Sequence, residues 1–164
     1  MAKRIWLDTE FVEDGRTIDL LSIGLTTEND GSLYIVVQDQ DPTHSNEFVD
    51  TYVRPHLDKT VHDTEPLHLD YDEVAPMLKD WVDERTKNPE FWAWYADYDW
   101  VSLCQTFGTM MDLPRNWPRL GYDLRQKYPR LKLADPIIEH HALADAIALK
   151  ETHLMQDVLV KSDR

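Results

Sequence analysis

Two carboxylates stand one residue apart in an otherwise apolar stretch near the start of the chain. The stretch is WLDTEF, residues 6–11, and its acids are Asp8 and Glu10. Because side chains on a strand alternate between its faces, both carboxylates would point to the same side. Burying unpaired carboxylates is costly, and a metal ion is the usual compensating charge. The spacing therefore indicates a metal site, with a solvated pair at a strand end as the alternative.

Further acids that could complete such a site occur where elements are expected to begin. Asp97 and Asp99 follow the aromatic stretch PEFWAWYADYD, at a predicted strand-to-helix junction where ligands collect in α/β proteins. Helix N-capping explains either residue almost as well. Asp145 lies in the run HHALADAIA, an unusual position for an acid unless it faces a ligand.

Two histidines precede Asp145, and both could take part in the chemistry. If residues 140–145 are all helical, His141 and Asp145 share a face and could bind one metal ion. If the helix begins near residue 142, His140 lies in the preceding loop and could act as a base. The residues alone leave both possibilities open. Most of the remaining histidines are expected at the surface, including His44, His56, His62 and His68.

Composition limits the classes of protein that this chain can be. At 164 residues it is expected to form a single domain, residues 1–164. No apolar run is long enough for a transmembrane helix, and the first residues do not resemble a signal peptide. The lone Cys104 excludes an intramolecular disulfide and a cysteine-rich zinc site. We therefore expect a soluble cytoplasmic protein.

The charge is strongly negative, with 31 acids against 17 bases and a net charge of −14. Tight non-specific binding to long nucleic acid relies on Lys and Arg neutralising phosphates, so the balance argues against a duplex-coating protein. A pocket that takes only the end of a strand remains compatible with it, because metal ions can supply the positive charge.

Hydrophobic patterning predicts strands first and helices afterwards. Strands are predicted over residues 3–11, 18–27 and 32–38, with the turn ENDG (Asn29, Asp30, Gly31) between the last two, forming an antiparallel meander. A short helix is expected near NEFVDTYV, in an otherwise irregular region. An amphipathic helix, an aromatic strand and a second helix follow, then a short helix at YDLRQKY and a final helix over about 140–160. This order predicts a mixed sheet with helices on both faces.

Three motifs, in this order, resemble those of the DEDD exonucleases. They are Asp8-Thr9-Glu10 on the first strand, YDWVSL with Asp99 after a strand, and HHALAD ending in Asp145. The resemblance is closest to the DEDDh, or DnaQ-like, branch of the ribonuclease H-like superfamily. It implies an α/β fold with a mixed five-stranded sheet, three antiparallel strands followed by parallel strands, and helices on both faces.

The family pattern also chooses between the neighbouring residues left open above. Its last motif is a histidine, four residues and an aspartate, which selects His140 over His141. Its second motif places an aromatic residue directly before the acid, which selects Asp99 over Asp97.

Longer stretches are similar to the ribonuclease AS-type exoribonucleases of actinobacteria and phages. They are DTEFVEDGRTIDLLSIG, WAWYADYDWVSLCQTFG and LGYDLRQ. The resemblance implies removal of nucleotides from the 3′ end of single-stranded RNA, with a preference for adenylate, by a homodimer. DNA proofreading members usually carry Thr-Thr-Gly after the glutamate, where this chain has Phe11-Val12-Glu13. The alternatives are a DNA 3′-5′ exonuclease of the same fold, for repair or proofreading, and an inactive nucleic-acid-binding module.

The resemblance implies a role for each residue of the site. Two Mg²⁺ or Mn²⁺ ions would be held by Asp8, Glu10, Asp99 and Asp145, with Asp8 bridging both. His140 would take the proton from the attacking water. Two substrate contacts are expected from position rather than from the resemblance. Phe11 follows Glu10 and would wedge against the terminal base, with packing in the core as an equal alternative, and Trp100 follows Asp99 and would stack on a base.

Overall fold

The protein is described by a computed structural model over residues 3–29 and 31–162. Its strands are β1 (Lys3–Glu13), β2 (Ile18–Thr26), β3 (Ser32–Val37), β4 (Leu67–Leu69), β5 (Pro89–Ala93) and β6 (Tyr122–Asp123). Its α-helices are α1 (Tyr71–Arg85), α2 (Ala96–Phe107), α3 (Leu124–Lys127) and α4 (Ala142–Ser162). Among these described helices, none combines the length and apolar character needed to cross a membrane.

The strands form one mixed sheet in the order β4-β3-β2-β1-β5-β6. The meander β1-β2-β3 is antiparallel, whereas β4, β5 and β6 pair in parallel with their neighbours. The predicted mixed architecture is therefore confirmed, and it is compatible with a ribonuclease H-like fold. Asp30 of the predicted turn lies outside the described residues.

The predicted count of five strands is wrong, because the sheet has a sixth strand at its edge. Strand β4 has only three residues and pairs with β3 in a region whose sequence looks irregular. Such a short strand forms through pairing with its neighbour and leaves no periodic pattern in the sequence. The helix expected near NEFVDTYV is present as a π-helical turn over Val49–Val53, followed by a 3₁₀ turn over Arg54–His56.

Strand β1 is buried on both faces, and each face meets different helices. Ile5 and Leu7 pack in a core that includes residues of α1 and α2. Trp6 and Val12, on the other face, pack in two clusters that include residues of α4. Helices thus cover both faces, as predicted. By the same alternation, Asp8 and Glu10 lie on the α4 face.

The sheet opens beside Asp8, because β1 and β5 separate there. Strand β5 pairs with β1 only from Lys3 to Trp6, whereas β2 follows β1 as far as Glu13. The chain of β5 turns away at its end and enters α2. The open edge therefore lies at the carboxyl ends of the parallel strands β5 and β6, the usual place for ligands in α/β sheets.

Candidate metal centre

Three of the predicted acids meet at this open edge. A carboxylate oxygen from each of Asp8, Glu10 and Asp145 lies within 4.8 Å of the others. The first two come from β1 and the third from the first turn of α4. An all-oxygen donor set of this kind suits a hard divalent cation such as Mg²⁺ or Mn²⁺. The cluster therefore has the right chemistry to bind a metal ion.

The electrostatics of the cluster also favour a cation. Burial raises the pKa of Asp8 well above its ordinary value, and the neighbouring charges of Asp99, Glu10 and Asp145 raise it further. Burial, followed by the charges of Asp145 and Asp99, raises the pKa of Glu10 to about 8. Burial likewise raises the pKa of Asp145 to about 6. Without a cation these acids therefore keep their protons to a higher pH than they would in water.

A glycine lets α4 bring Asp145 so close to β1. Gly24 of β2 is the register partner of Asp8, and α4 begins directly above it. A Cβ atom on Gly24 would lie 2.4 Å from the backbone N and Cα of Leu143. Sequence reasoning assigned no role to Gly24, although an isolated glycine within a strand is a known signal of close backbone approach.

Asp99 reaches the same edge from α2 and provides a hydrogen-bond acceptor for β1 where β5 no longer pairs with it. Its Oδ1 accepts hydrogen bonds from the backbone N–H of Thr9 at 2.9 Å and from its hydroxyl at 2.6 Å. Asp99 is buried, which raises its pKa to about 7 although the Thr9 hydrogen bonds lower it. Its competitor Asp97 is exposed. The role of Asp99 as a metal ligand stays a prediction, because its Oδ1 is directed to Thr9.

Helix α4 begins at Ala142, so both histidines precede it. His141 is buried, and both its ring nitrogens have protein partners. Its Nδ1 faces the N–H of Ala144 at 3.4 Å and its Nε2 the carbonyl of Lys59 at 3.0 Å, which together assign the proton to Nε2. The backbone N–H of His141 donates to Asp145 at 3.1 Å. His141 therefore caps the helix and orients Asp145, which leaves no ring nitrogen for a metal.

His140 lies in the loop before α4, in the second of the two arrangements considered from the sequence. Its backbone is left-handed, with φ of 56°. Its ring contacts Phe48 edge-on, with centroids 4.9 Å apart, and lies 6.2 Å from the ring of Tyr52. The role of His140 as a base stays a prediction.

The two aromatic residues predicted to bind substrate have different surroundings. Phe11 stacks on the half-exposed Tyr98, with ring planes 5° apart and centroids 5.7 Å apart. Tyr98 lines a groove of about 880 Å³ beside Asp99, together with Tyr95, Asp97, Asp123, Arg125, Gln126 and Pro129. Trp100 instead packs against Phe91 at the main core, 5.4 Å between ring centroids. These contacts favour a structural role for Trp100, and its base stacking stays a prediction.

Comparison with known proteins identifies one family. Residues 3–155 match the 3′-5′ exoribonuclease Rv2179c-like domain. Two relatives from Mycobacterium tuberculosis are 36% identical over 152 residues, which cover 87% of this chain and 86% of each relative. They are the 3′-5′ exoribonuclease MT2234.1 of strain CDC 1551 / Oshkosh and the 3′-5′ exoribonuclease Rv2179c of strain ATCC 25618 / H37Rv.

Proposed function

The chain belongs to the Rv2179c-like 3′-5′ exoribonuclease family, and we propose that it hydrolyses single-stranded RNA from the 3′ end with the help of two divalent cations. One observation carries the metal-dependent part of this proposal. The oxygens of Asp8, Glu10 and Asp145 converge within 4.8 Å at the open edge of the sheet. A phosphodiester can reach this edge because β5 no longer covers β1 there.

The residues of the site divide the work of hydrolysis. Asp8, Glu10 and Asp145 would hold the cations, and Asp99 would add its free carboxylate oxygen, since its Oδ1 is directed to Thr9. Bound Mg²⁺ or Mn²⁺ supplies charge neutralisation at the phosphate and lowers the pKa of water. The imidazole of His140 removes a proton from the attacking water.

The terminal nucleotide binds on the side of β1 where β5 and β6 lie, away from β2 and β3. Tyr98 lines the groove and Phe11 stacks on Tyr98, so the two offer adjacent aromatic rings to a base. Stacking on a base is worth about 1–3 kcal/mol. Asp97 and Gln126 line the same groove and can accept hydrogen bonds from an exocyclic amino group, which adenine shares with cytosine and guanine, so the proposed preference for adenylate rests on the family resemblance.

The protein is further proposed to act as a homodimer. Met155, Val158 and Leu159 expose large apolar side chains at helical spacing near the end of α4. Apolar surface of this kind is often covered by a partner. Light scattering after size exclusion should give about twice the chain mass of 19.3 kDa. A single-chain mass at micromolar concentration would contradict the proposal.

The activity is tested with 5′-labelled single-stranded RNA and DNA of equal length, ending in A or in C, with Mn²⁺ or EDTA. We expect a ladder of shortened products on RNA that requires Mn²⁺ and forms faster from the A-ended strand. Asp8→Ala should abolish it, whereas Asp80→Ala, the same change on the exposed surface of α1, should leave it intact.

The two alternative functions predict different results in this assay. Degradation of DNA in preference to RNA would replace the proposal with a DNA 3′-5′ exonuclease. Binding of RNA without any product would replace it with a nucleic-acid-binding module.

A further inference from the structure

An exposed surface around His140 combines two aromatic rings with a cation, and the proposed mechanism uses only His140 of it. We call it the upstream face, and it consists of Phe48, Tyr52, His56, Lys59 and His140. The segment that carries it packs on the α4 face of the sheet, where Val49, Val53 and Leu57 are buried with Leu143. The upstream face thus lies on the same side of the sheet as Asp8 and Glu10.

The aromatic part of this face is open to solvent although both rings are large. Phe48 is 50% exposed and Tyr52 is 52% exposed. Their ring centroids are 5.2 Å apart, and both rings contact the imidazole of His140. Two accessible rings in contact with the proposed base can meet a substrate that approaches the acids.

The polar part is formed by the Lys59 ammonium, which carries the charge, and the His56 ring. The Lys59 ammonium donates to Nδ1 of His56 at 2.8 Å. Burial, followed by the charges of Lys59 and His140, lowers the pKa of His56, so its ring stays neutral and accepts this hydrogen bond. These effects also show that all three groups lie within electrostatic reach of one another.

The charge of Lys59 remains available to a ligand. Within the described ranges no carboxylate forms an ion pair with Lys59, whereas Arg54 and Lys79 each pair with an aspartate on their own helical turn. The adjacent Asp58 is paired with His68 at 3.3 Å. In a chain with a net charge of −14, such a cation is a preferred contact for an anion.

The backbone of Lys59 is also held in place relative to the acids. Its carbonyl accepts the hydrogen bond from Nε2 of His141, and the amide of His141 donates to Asp145. The hydroxyl of Tyr34 donates to the carbonyl of Leu57 at 3.0 Å and fixes the same segment. The upstream face is therefore attached to the start of α4 through two buried side chains.

We propose that the upstream face binds the RNA strand on the 5′ side of the scissile bond, with Lys59 and His56 donating to a backbone phosphate and Phe48 and Tyr52 contacting a base. This inference rests on the proposed exoribonuclease function. The order of the strands in the sheet supports this direction of the RNA, with its 3′ end toward β5 and β6 and its 5′ part toward β3. The groove for the terminal nucleotide lies toward β5 and β6, whereas the upstream face follows β3 in the chain, on the other side of β1.

The salt dependence of RNA binding tests the phosphate contact. Fluorescein-labelled octa-adenylate is titrated with protein carrying Asp8→Asn, which prevents cleavage, at several KCl concentrations with Mn²⁺ present. Each phosphate contact on a single strand contributes about 0.7 to the slope of log K against log salt. We expect Lys59→Gln to reduce the slope by about this amount, and Lys59→Arg to restore it.

The matched control removes the same charge far from the site. The control is Lys161→Gln, because Lys161 lies about 24 Å further along α4 than Asp145, at 1.5 Å per residue. It should leave the slope unchanged. The main chain of Lys59 is retained in Lys59→Gln, so the bond to His141 is kept and the melting temperature should equal that of the parent. An unchanged slope in Lys59→Gln, or an equal change in Lys161→Gln, would overturn the inference.

Kinetics separate this inference from the proposed function. In the active protein, Lys59→Gln should raise KM for octa-adenylate several-fold with little change in kcat. It should leave hydrolysis of the p-nitrophenyl ester of a nucleoside 5′-monophosphate unchanged, because this substrate has no upstream nucleotide. Equal effects on both substrates would overturn the inference and leave the exoribonuclease proposal intact. Failure of the parent protein to cleave RNA would overturn the proposed function, while the binding slope would still report on the upstream face.

Discussion

Gly24→Ala is expected to separate α4 from the sheet and weaken the metal site. The substitution adds one methyl group at the register partner of Asp8. In its extended strand conformation alanine is not strained, and it would by itself stabilise the protein by about 0.4–1 kcal/mol through the unfolded chain. The effect of the substitution therefore depends on what the new methyl group meets.

The structure gives the size of the clash. The new Cβ would lie 2.4 Å from Cα and N of Leu143 and 2.6 Å from the carbonyl carbon of Ala142. Carbon atoms normally approach to about 3.5–4.0 Å, so the first turn of α4 must move by roughly 1 Å. Backbone atoms cannot rotate away, and overpacking of this kind costs about 1–3 kcal/mol. Set against the gain from the unfolded chain, we expect a net loss of about 1–2 kcal/mol, or a fall in Tm of roughly 2–8 °C.

The same movement displaces Asp145, two residues after Leu143, from the other ligands. A misplacement of about 1 Å can reduce a rate about 100-fold. Thermal unfolding in EDTA measures the loss of stability. Calorimetric titration with Mn²⁺ measures how the displacement of Asp145 changes the metal affinity.

Gly121→Ala is the control, because its Cβ would meet the Trp100 side chain at 3.2 Å rather than backbone. It should leave Mn²⁺ affinity unchanged. If Gly24→Ala kept both the Tm and the Mn²⁺ affinity of the parent, close packing on Gly24 would not be what positions Asp145.

The remaining predictions concern the metal, the acids and their partners. Mn²⁺ at 100 times its Kd should stabilise the fold by about 2.7 kcal/mol, and Asp8→Asn should remove this shift in Tm; an unresponsive parent would contradict metal binding. In EDTA, urea unfolding should show stability falling as pH rises from 4.5 to about 8, because the folded protein holds a proton on Glu10 that the unfolded chain has lost; a rise in this range would show that the reasoning is wrong. His140→Ala should lower kcat by about 10²–10⁴ yet keep the Mn²⁺ shift in Tm, and loss of that shift would make His140 a ligand instead of a base. Thr9→Val removes a hydroxyl 2.6 Å from Asp99 and should cost about 1.5–3 kcal/mol in urea unfolding, whereas an unchanged midpoint would mean that this hydrogen bond contributes little.

The long strands could be predicted from the sequence because their burial follows a local pattern. The strand predicted over residues 3–11 is observed as β1 over Lys3–Glu13. The strand predicted over residues 18–27 is observed as β2 over Ile18–Thr26. Strand β6 was missed, and it has only two residues. Like β4, it exists because a neighbouring strand offers unpaired backbone groups, and that information is not contained in the local sequence.

The acids of the site could be found because their residue types disagree with their surroundings. Asp8, Glu10 and Asp145 are carboxylates in stretches that otherwise have core composition. The contacts of His141 could not be found in this way, because its ring partner Lys59 is 82 residues away in the chain. Gly24 gave a recognisable local signal, but the element that approaches it is identified only by the tertiary structure.

The open edge of the sheet and the candidate metal centre arise from the same structural feature. Where β5 leaves β1, a ligand gains access, but the amide of Thr9 loses a strand partner and would be costly to bury. Asp99 supplies the missing acceptor and thereby places a fourth carboxylate close enough to raise the pKa of Asp8. A carboxylate that accepts a hydrogen bond at the edge also adds negative charge there, so a bound cation makes the cluster of acids more favourable. The geometry that exposes β1 to a substrate thus also creates the electrostatic demand for a metal ion.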